Sequence, residues 1–379
     1  MRTQRTMVEL ITPGETVRDL RSATRPIPIE IEDSVAFEMI LAMWTTFNPN
    51  ETSTSFELGT EWHDRIKELT PTDLAEEIVI LGGPHLAVWF GVAGLLHTAP
   101  HPHDPSLMFD WLADIDPNRL RRWLISCTSG CSDASLIEQA ANGDPEALEE
   151  AFADEGHEGN MEQIIGLFEM PDKELPSRIA RTLQRFRDKV FAEYEEDFGG
   201  AIERAAAARR AMANGDDVKS VIEEVTNGLD LDIPLGVARV VLIPSVVTRP
   251  LSVIDQQRDS LLVYYGVADE FIDVDPEAPP AWMVRTYKAL SDERRLRILR
   301  RLREGDTSLD ELTEMLGLSK STVHHHTSIL RAAGLIRIHV SIDKSSKKRI
   351  YSMRDQALED ASGFLDSYLN PTIGGVDHV

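Results

Sequence analysis

Between Asp292 and Gly334 helix caps and stops follow one another so closely that only short helices joined by tight turns can form there. Asp292 can cap a helix running to about Arg303, with Leu296, Leu299 and Leu302 turned inward and Gly305 ending it. Ser308 and Glu311 form an S-x-x-E capping box that opens a second helix, Leu309 to Leu316, with Leu309, Leu312 and Leu316 inward. Gly317-Leu318-Ser319 supplies a tight turn; Ser319 caps a third helix from Lys320 to about Ala332, and Gly334 stops it in the left-handed position. Two short helices about a three-residue turn, followed by a two-faced third element, predict a helix-turn-helix.

The third helix divides its residues between two faces. Val323, Ile329 and Leu330, with His326 or Thr327 between them, can pack inward, leaving Lys320, Ser321, Thr322, His324, His325, Ser328 and Arg331 outward beside the cap Ser319. Short hydroxyls reach base edges and phosphates, Lys and Arg supply charge, and a helix N-terminus favours phosphate, so this face suits the major groove of double-stranded DNA. Next, Ile336, Ile338, Val340 and Ile342 alternate with Arg337, His339 and Ser341, and Lys344, Ser345, Ser346, Lys347, Lys348 and Arg349 lead into Ile350 and Tyr351. That pattern predicts a β-hairpin wing whose Lys344, Lys347, Lys348 and Arg349 lie along the DNA backbone.

The net charge of −25 argues against a nucleic-acid partner only as an average. From Met283 to Asp355 the chain carries 16 Lys and Arg against 9 Asp and Glu, whereas the remainder carries 23 against 55. A basic module on an acidic body is expected to discriminate against non-specific DNA, because the body repels it.

The front of the chain reads as mostly helical with a little sheet. Ile27 to Glu32 alternates as a short strand, and Asp33 or Ser34 then caps a helix carrying Val35, Met39, Ile40, Met43, Trp44 and Phe47 at helical spacing. Thr70-Pro71, Asp116-Pro117 and Asp144-Pro145 each predict a helix start. A long stripe, Ile179, Leu183, Phe186, Val190, Tyr194, Phe198 and Ile202, is broken at Gly199-Gly200 and reads as a core face, with an intersubunit seam as the alternative. Val237 to Val247 and Leu261 to Val267 read as neighbouring strands that join Ile27 to Glu32, and acidic Asp133 to Asn160 reads as a loop-rich surface excursion. Asp275-Pro276-Glu277-Ala278-Pro279-Pro280 resists helix and strand alike. The predicted fold class is mainly α (α+β), divided into a tail over 1–26, a helical body with a small sheet over 27–274, a linker over 275–281, a winged helix-turn-helix over 282–369 and a tail over 370–379. No stretch is long and apolar enough to span a membrane and no signal core is present, so a cytoplasmic location is expected.

The run "ALSDERRLRILRRLREGDTSLDELTEMLGLSKSTVHHHTSILRAAGLIR" with the closing "KKRIYSM" resembles the winged-helix domain of ArsR-type bacterial transcription regulators. Over the front part, "LIPSVVTRP" and "YYGVADE" resemble a helical domain of unknown function that precedes this module in some long actinobacterial-type regulators. The first resemblance implies a homodimer on a palindromic operator, acting as a repressor that an inducer releases. It also implies dimerisation through a C-terminal helix, here with Leu358, Ala361, Leu365 and Tyr368 on one face. The chain departs from metal-sensing members: Ser308-Leu309-Asp310-Glu311-Leu312 contains no thiol and Ala357 to Leu369 no histidine, so metal sensing at the usual positions is not expected.

Other chemistry-bearing residues have bland readings beside the sharp ones. His324-His325-His326 point about 100° apart on a helix and cannot all ligate one ion. His97, His101 and His103 with Asp104 can converge on a metal, or can be surface histidines of a Pro-rich loop, which is the reading adopted. Cys127 and Cys131 can form a redox pair or half a zinc site, but Gly130 and the lack of nearby ligands weaken both. There is no phosphate-binding glycine loop, nucleophile elbow or H-E-x-x-H, so neither an enzyme nor a cofactor is expected. The front body is read as the sensor of an unknown small-molecule effector, with a protein-interaction module as the alternative.

Overall fold

The computed structural model describes residues 27–48, 56–272, 279–341 and 349–354, apart from short breaks at 102, 130, 132, 154–157, 213–216, 234–235 and 258, together with Leu365, Tyr368 and Leu369. Strand β1 (Ile29–Ile31) leads into helices α1 (Val35–Phe47), α2 (Gly59–Leu69), α3 (Thr72–Gly82), α4 (Ala87–Leu96), α5 (Pro105–Ala113) and α6 (Pro117–Ser129). There follow α7 (Ala134–Ala141), α8 (Pro145–Ala151), α9 (Glu158–Phe168), α10 (Glu174–Lys189), α11 (Glu195–Met212) and α12 (Val218–Val225). Strands β2 (Leu229–Asp232), β3 (Arg239–Ser245), β4 (Val253–Gln257) and β5 (Ser260–Gly266) come next, then α13 (Ala281–Leu290) and α14 (Glu293–Arg303). The last elements are β6 (Thr307–Ser308), α15 (Leu309–Leu316), α16 (Lys320–Ala332), β7 (Ile336–Ser341) and β8 (Arg349–Met353). The mainly helical class with small sheets is as read from the sequence.

Ser34 caps α1, its hydroxyl accepting from the Ala36 N–H, and the helix runs through the centre of the front body with almost every side chain buried. Strands β1, β3 and β5 run parallel in the order β1-β3-β5-β4, with β4 antiparallel to β5 at the edge. The near-continuous Val, Ile and Leu of β3 and β5 follow from burial on both faces. Val241, Ile243, Leu262 and Tyr264 pack on the helical core around α1, while Val240, Leu242, Leu261, Val263 and Tyr265 pack on the side of α12. The expected joining of three segments into one sheet is therefore found; β4, polar over Asp255-Gln256-Gln257 as an edge strand tolerates, was not anticipated.

Several expectations are corrected. Asp133 to Asn160 is not a loop-rich excursion: Asp133 and Asp144 cap α7 and α8, and Ile137, Ala140, Ala147 and Phe152 enter the core. The long stripe breaks at Val190–Tyr194, while Gly199 and Gly200 lie inside α11. Ile179, Leu183, Phe186 and Ile202 are buried within the chain, which makes this stripe a core face rather than a seam. Thr70 does not cap the following helix; its hydroxyl donates back to the Ile66 carbonyl and closes α2. In α14, Leu296 is 48% exposed and Ile298 takes its expected place inside.

The second sheet, ordered β2-β7-β8-β6, crosses the expected domain boundary. Its β7–β8 hairpin and β6 belong to the winged helix, whose core is Ile298, Leu302, Leu312, Val323, Leu330, Leu335, Ile336 and Tyr351. Strand β2 comes from the front body and pairs parallel to β7 from Leu229↔Ile338 to Asp232↔Ser341. Gly228 starts this pairing at φ +104°, its carbonyl accepting from the Ile338 N–H at 2.8 Å. A Cβ there would stand 2.7 Å from the Ile336 carbonyl oxygen.

Two substitutions test this architecture. Gly228→Ala should cost about 1–3 kcal/mol through left-handed strain and the carbonyl clash, read as a drop in thermal stability; an unchanged melting temperature contradicts the β2–β7 junction. Glu38 is fully buried, its Oε1 accepting from the Val246 and Val247 N–H groups at 2.8 Å each. Burial raises its carboxyl from 4.5 to about 7 against these bonds. The stability due to the protonated form is thus complete below the unfolded value and lost as pH rises through the folded one. Relative to Glu38→Gln, the native chain should lose on the order of 3 kcal/mol between about pH 5 and pH 8 in urea unfolding; parallel pH profiles would refute the assignment.

Candidate nucleic-acid interface

The helix-turn-helix is built by its caps as the spacing predicts. The Ser308 hydroxyl accepts from the Glu311 N–H while the Glu311 carboxylate accepts from the Ser308 N–H at 2.8 Å and the Thr307 hydroxyl at 2.9 Å. Those bonds, the backbone one foremost, hold the Glu311 carboxyl down to about 2. Gly317 turns at φ 65° and the Ser319 hydroxyl accepts from the Thr322 N–H at 3.2 Å, which aims the α16 N-terminus outward. Because Ser319 serves this cap and also bonds the Ser321 and Thr322 hydroxyls, it organises the tip of α16.

Ser319, Lys320, Ser321 and His325 are exposed on α16, and Thr322, His324 and Ser328 are half-buried beside them. Lys320 pairs with Asp310 of α15 at 2.6 Å, with both side chains well exposed, so the ion pair can be exchanged for a phosphate at small cost. Burial lowers the His324 imidazole, and the Arg349 and Arg331 charges lower it further. His324 therefore offers a neutral donor and acceptor at neutral pH rather than a charge. His326 and Thr327 turn inward, as expected for that face.

Arg331 is a correction. It does not face outward: it is 6% exposed and its Nη1 donates to the Thr226 carbonyl between α12 and β2. The alternation of polar and apolar residues placed it on the solvent side, but the solvent side of the α16 C-terminus is covered by the front body. The same docking takes up two polar residues of the wing strand. Arg337 pairs with Glu223 at 2.5 Å, and His339 lies 3.0 Å from Asp230 and 3.2 Å from Asp232. A further cluster, Glu57, Arg249, Asp269 and Arg285, ties α13 to the front body, with the Trp282 N–H donating to Asp269 at 2.7 Å. None of these tethers was legible in the sequence, because each partner is distant along the chain.

Arg349 opens β8 and is exposed, whereas Lys344, Lys347 and Lys348 lie outside the described residues, as do Leu358 and Ala361. Leu365 and Tyr368 are described, each about two-fifths exposed. Cys127 and Cys131 are not joined in a disulfide and both are half-buried against the front core. Among the described residues no single helix is long and apolar enough to cross a membrane; one pair, Thr72–Gly82 and Pro84–Leu96, is long and apolar enough together but is bent by 82°.

Residues 292–337 match the family model described as bacterial regulatory protein, arsR family. The chain is 30% identical over 88 residues to the transcriptional repressor SdpR of Bacillus subtilis strain 168, covering 93% of that protein and 23% of this one. It is 34% identical over 95 residues to the HTH-type transcriptional regulator NmtR of Mycobacterium tuberculosis strain H37Rv, covering 76% of that protein and again 23% of this one. With its capped helix-turn-helix, its wing strands and near-complete coverage of a curated relative, the chain belongs to the ArsR family of bacterial DNA-binding transcription regulators.

Proposed function

We propose that this protein is a cytoplasmic, operator-specific repressor that binds a palindromic DNA site as a homodimer and senses a small molecule through its front body, residues 27–274. The observation that carries the DNA reading is the exposed polar tip of α16, with Ser319, Lys320, Ser321 and His325 free of the front body while the rest of the helix is packed. Leu365 and Tyr368, both exposed, support pairing of two copies, and two half-sites offset the few base contacts one module can make. The named repressor among the relatives supports the direction of control.

The effector reading rests on a cavity of about 670 Å³ between the front body and the winged helix, lined by Arg209, Thr226, Tyr265, Phe271, Trp282 and Ala332. Arg209 is 6% exposed and pairs with Glu224 through Nη1, but its Nε and Nη2 have no hydrogen-bond partner among the described residues. A mixed apolar molecule bearing a carboxylate or phosphate would satisfy them. Such a ligand would touch Ala332 at the end of α16 and Thr226, whose carbonyl holds Arg331, and so favour one placement of the winged helix over another.

Selection of bound duplexes from random DNA by the full-length protein should recover an inverted repeat. On that site Ser321→Ala and His325→Ala should each shift base preference, costing about 1–3 kcal/mol at the selected sequence. Arg349→Ala should weaken all sequences and reduce the salt slope by about 1, whereas Arg331→Met should leave that slope unchanged and lower thermal stability instead. Leu365→Asp should convert a dimer to a monomer in sedimentation. Failure to enrich any sequence with the chain folded would overturn the operator reading.

A further inference from the structure

We infer that Glu32, His97 and His103 form a binding site for a divalent transition-metal ion of the zinc class, separate from the DNA-binding module. Glu32 lies just after β1 and two residues before the cap of α1, His97 ends α4 and His103 precedes the cap of α5; one ligand atom from each lies within 4.8 Å of the others. The Glu32 Oε2 is 3.1 Å from the His97 Nδ1 and 2.5 Å from the His103 Nδ1. The far nitrogens are held as well: the His97 Nε2 lies 2.9 Å from the Glu30 carboxylate and the His103 Nε2 3.1 Å from the Ala99 carbonyl. Ligating histidines are oriented in this way, one nitrogen toward the ion and the other N–H given to a carboxylate or backbone carbonyl.

The hydrogen-bond inventory points the same way. A neutral imidazole has one donor and one acceptor, yet the partners of both rings, Glu32, Glu30 and the Ala99 carbonyl, are acceptors. The mismatch is met either by a second proton on each ring or by a cation beside Glu32, to which each ring would turn its Nδ1 lone pair while keeping its Nε2 hydrogen bond. The three side chains are 3–10% exposed and face a cavity of about 720 Å³ whose lining carries Asp33, Asp104, Glu195 and Glu203 against one cation, Arg210, which pairs with Asp33 at 2.8 Å. That acidic mouth draws in cations and leaves room for water, so two nitrogens, one carboxylate oxygen and an open position make up the ligand set. The carboxylate is not Asp104, which caps α5 by accepting from the Ser106 and Leu107 N–H groups. His101 is exposed and stacks on His103 at the rim, outside the cluster. The bound ion would clamp the entry to α1 against the end of α4 and the start of α5.

The test uses full-length protein freed of metal by chelator and then titrated with Co²⁺. Visible absorption of a low-coordinate N/O site should saturate at one ion per chain, be displaced by one equivalent of Zn²⁺, and be accompanied by a rise in melting temperature. His97→Ala and His103→Ala should abolish the absorption, and Glu30→Gln should weaken binding by about 10-fold. His101→Ala and His325→Ala should leave it unchanged. Should the two buried histidine variants fail to fold by circular dichroism, Glu30→Gln decides, since its side chain is partly exposed. Absence of uptake by the native chain, or uptake unaffected by Glu30→Gln and lost in His325→Ala, would overturn the site and leave Glu32 held by its histidines alone.

Discussion

The parallel pairing of Leu229–Asp232 with Ile338–Ser341 joins the winged helix to the front body through backbone hydrogen bonds, and the contacts of β7 and the end of α16 with the front body follow that register. Once β2 lies beside β7, Asp230 and Asp232 come opposite His339, Glu223 faces Arg337, and the Thr226 carbonyl stands over Arg331. A strand pairing is directional and shifts in steps of a residue, each step turning side chains to the opposite face. The register of this pairing therefore sets the angular placement of the wing in this structure. Any signal from the front body has a short mechanical route to α16.

The charge asymmetry acquires a second meaning from this docking. Several acidic residues of the front body pair with basic residues of the winged helix on the side that faces the front body. Arg285, Arg331, Arg337 and His339 are engaged by the front body, whereas Lys320, Ser321, His325 and Arg349 remain on the outer side. Basic residues are thus divided between internal partners and exposed positions on opposite sides of the module.

The local grammar of the DNA-binding module was legible because caps act over three or four residues. Ser308 with Glu311, Ser319 with Thr322 and the left-handed Gly317 occur where spacing places them. The joining of β1, β3 and β5 was legible from apolar runs, which only a sheet covered on both faces can use. Leu296 and Arg331 went astray for one reason: a helix face has a definite angular position, but only the neighbouring elements decide which part of the surface is free. Histidines in a Pro-rich loop looked like surface residues because their partner, Glu32, lies 65 residues from His97 and 71 from His103.

The sequence by itself determined the helix-turn-helix, its wing strands and its family, since all of these rest on interactions between residues close along the chain. Tertiary structure alone decided the insertion of β2 beside the wing, the burial of Arg331, the cavity under α16 and the meeting of Glu32 with His97 and His103. Those features depend on strand register and helix packing between distant segments, and no local pattern of residue types encodes which distant backbone will arrive at a given edge.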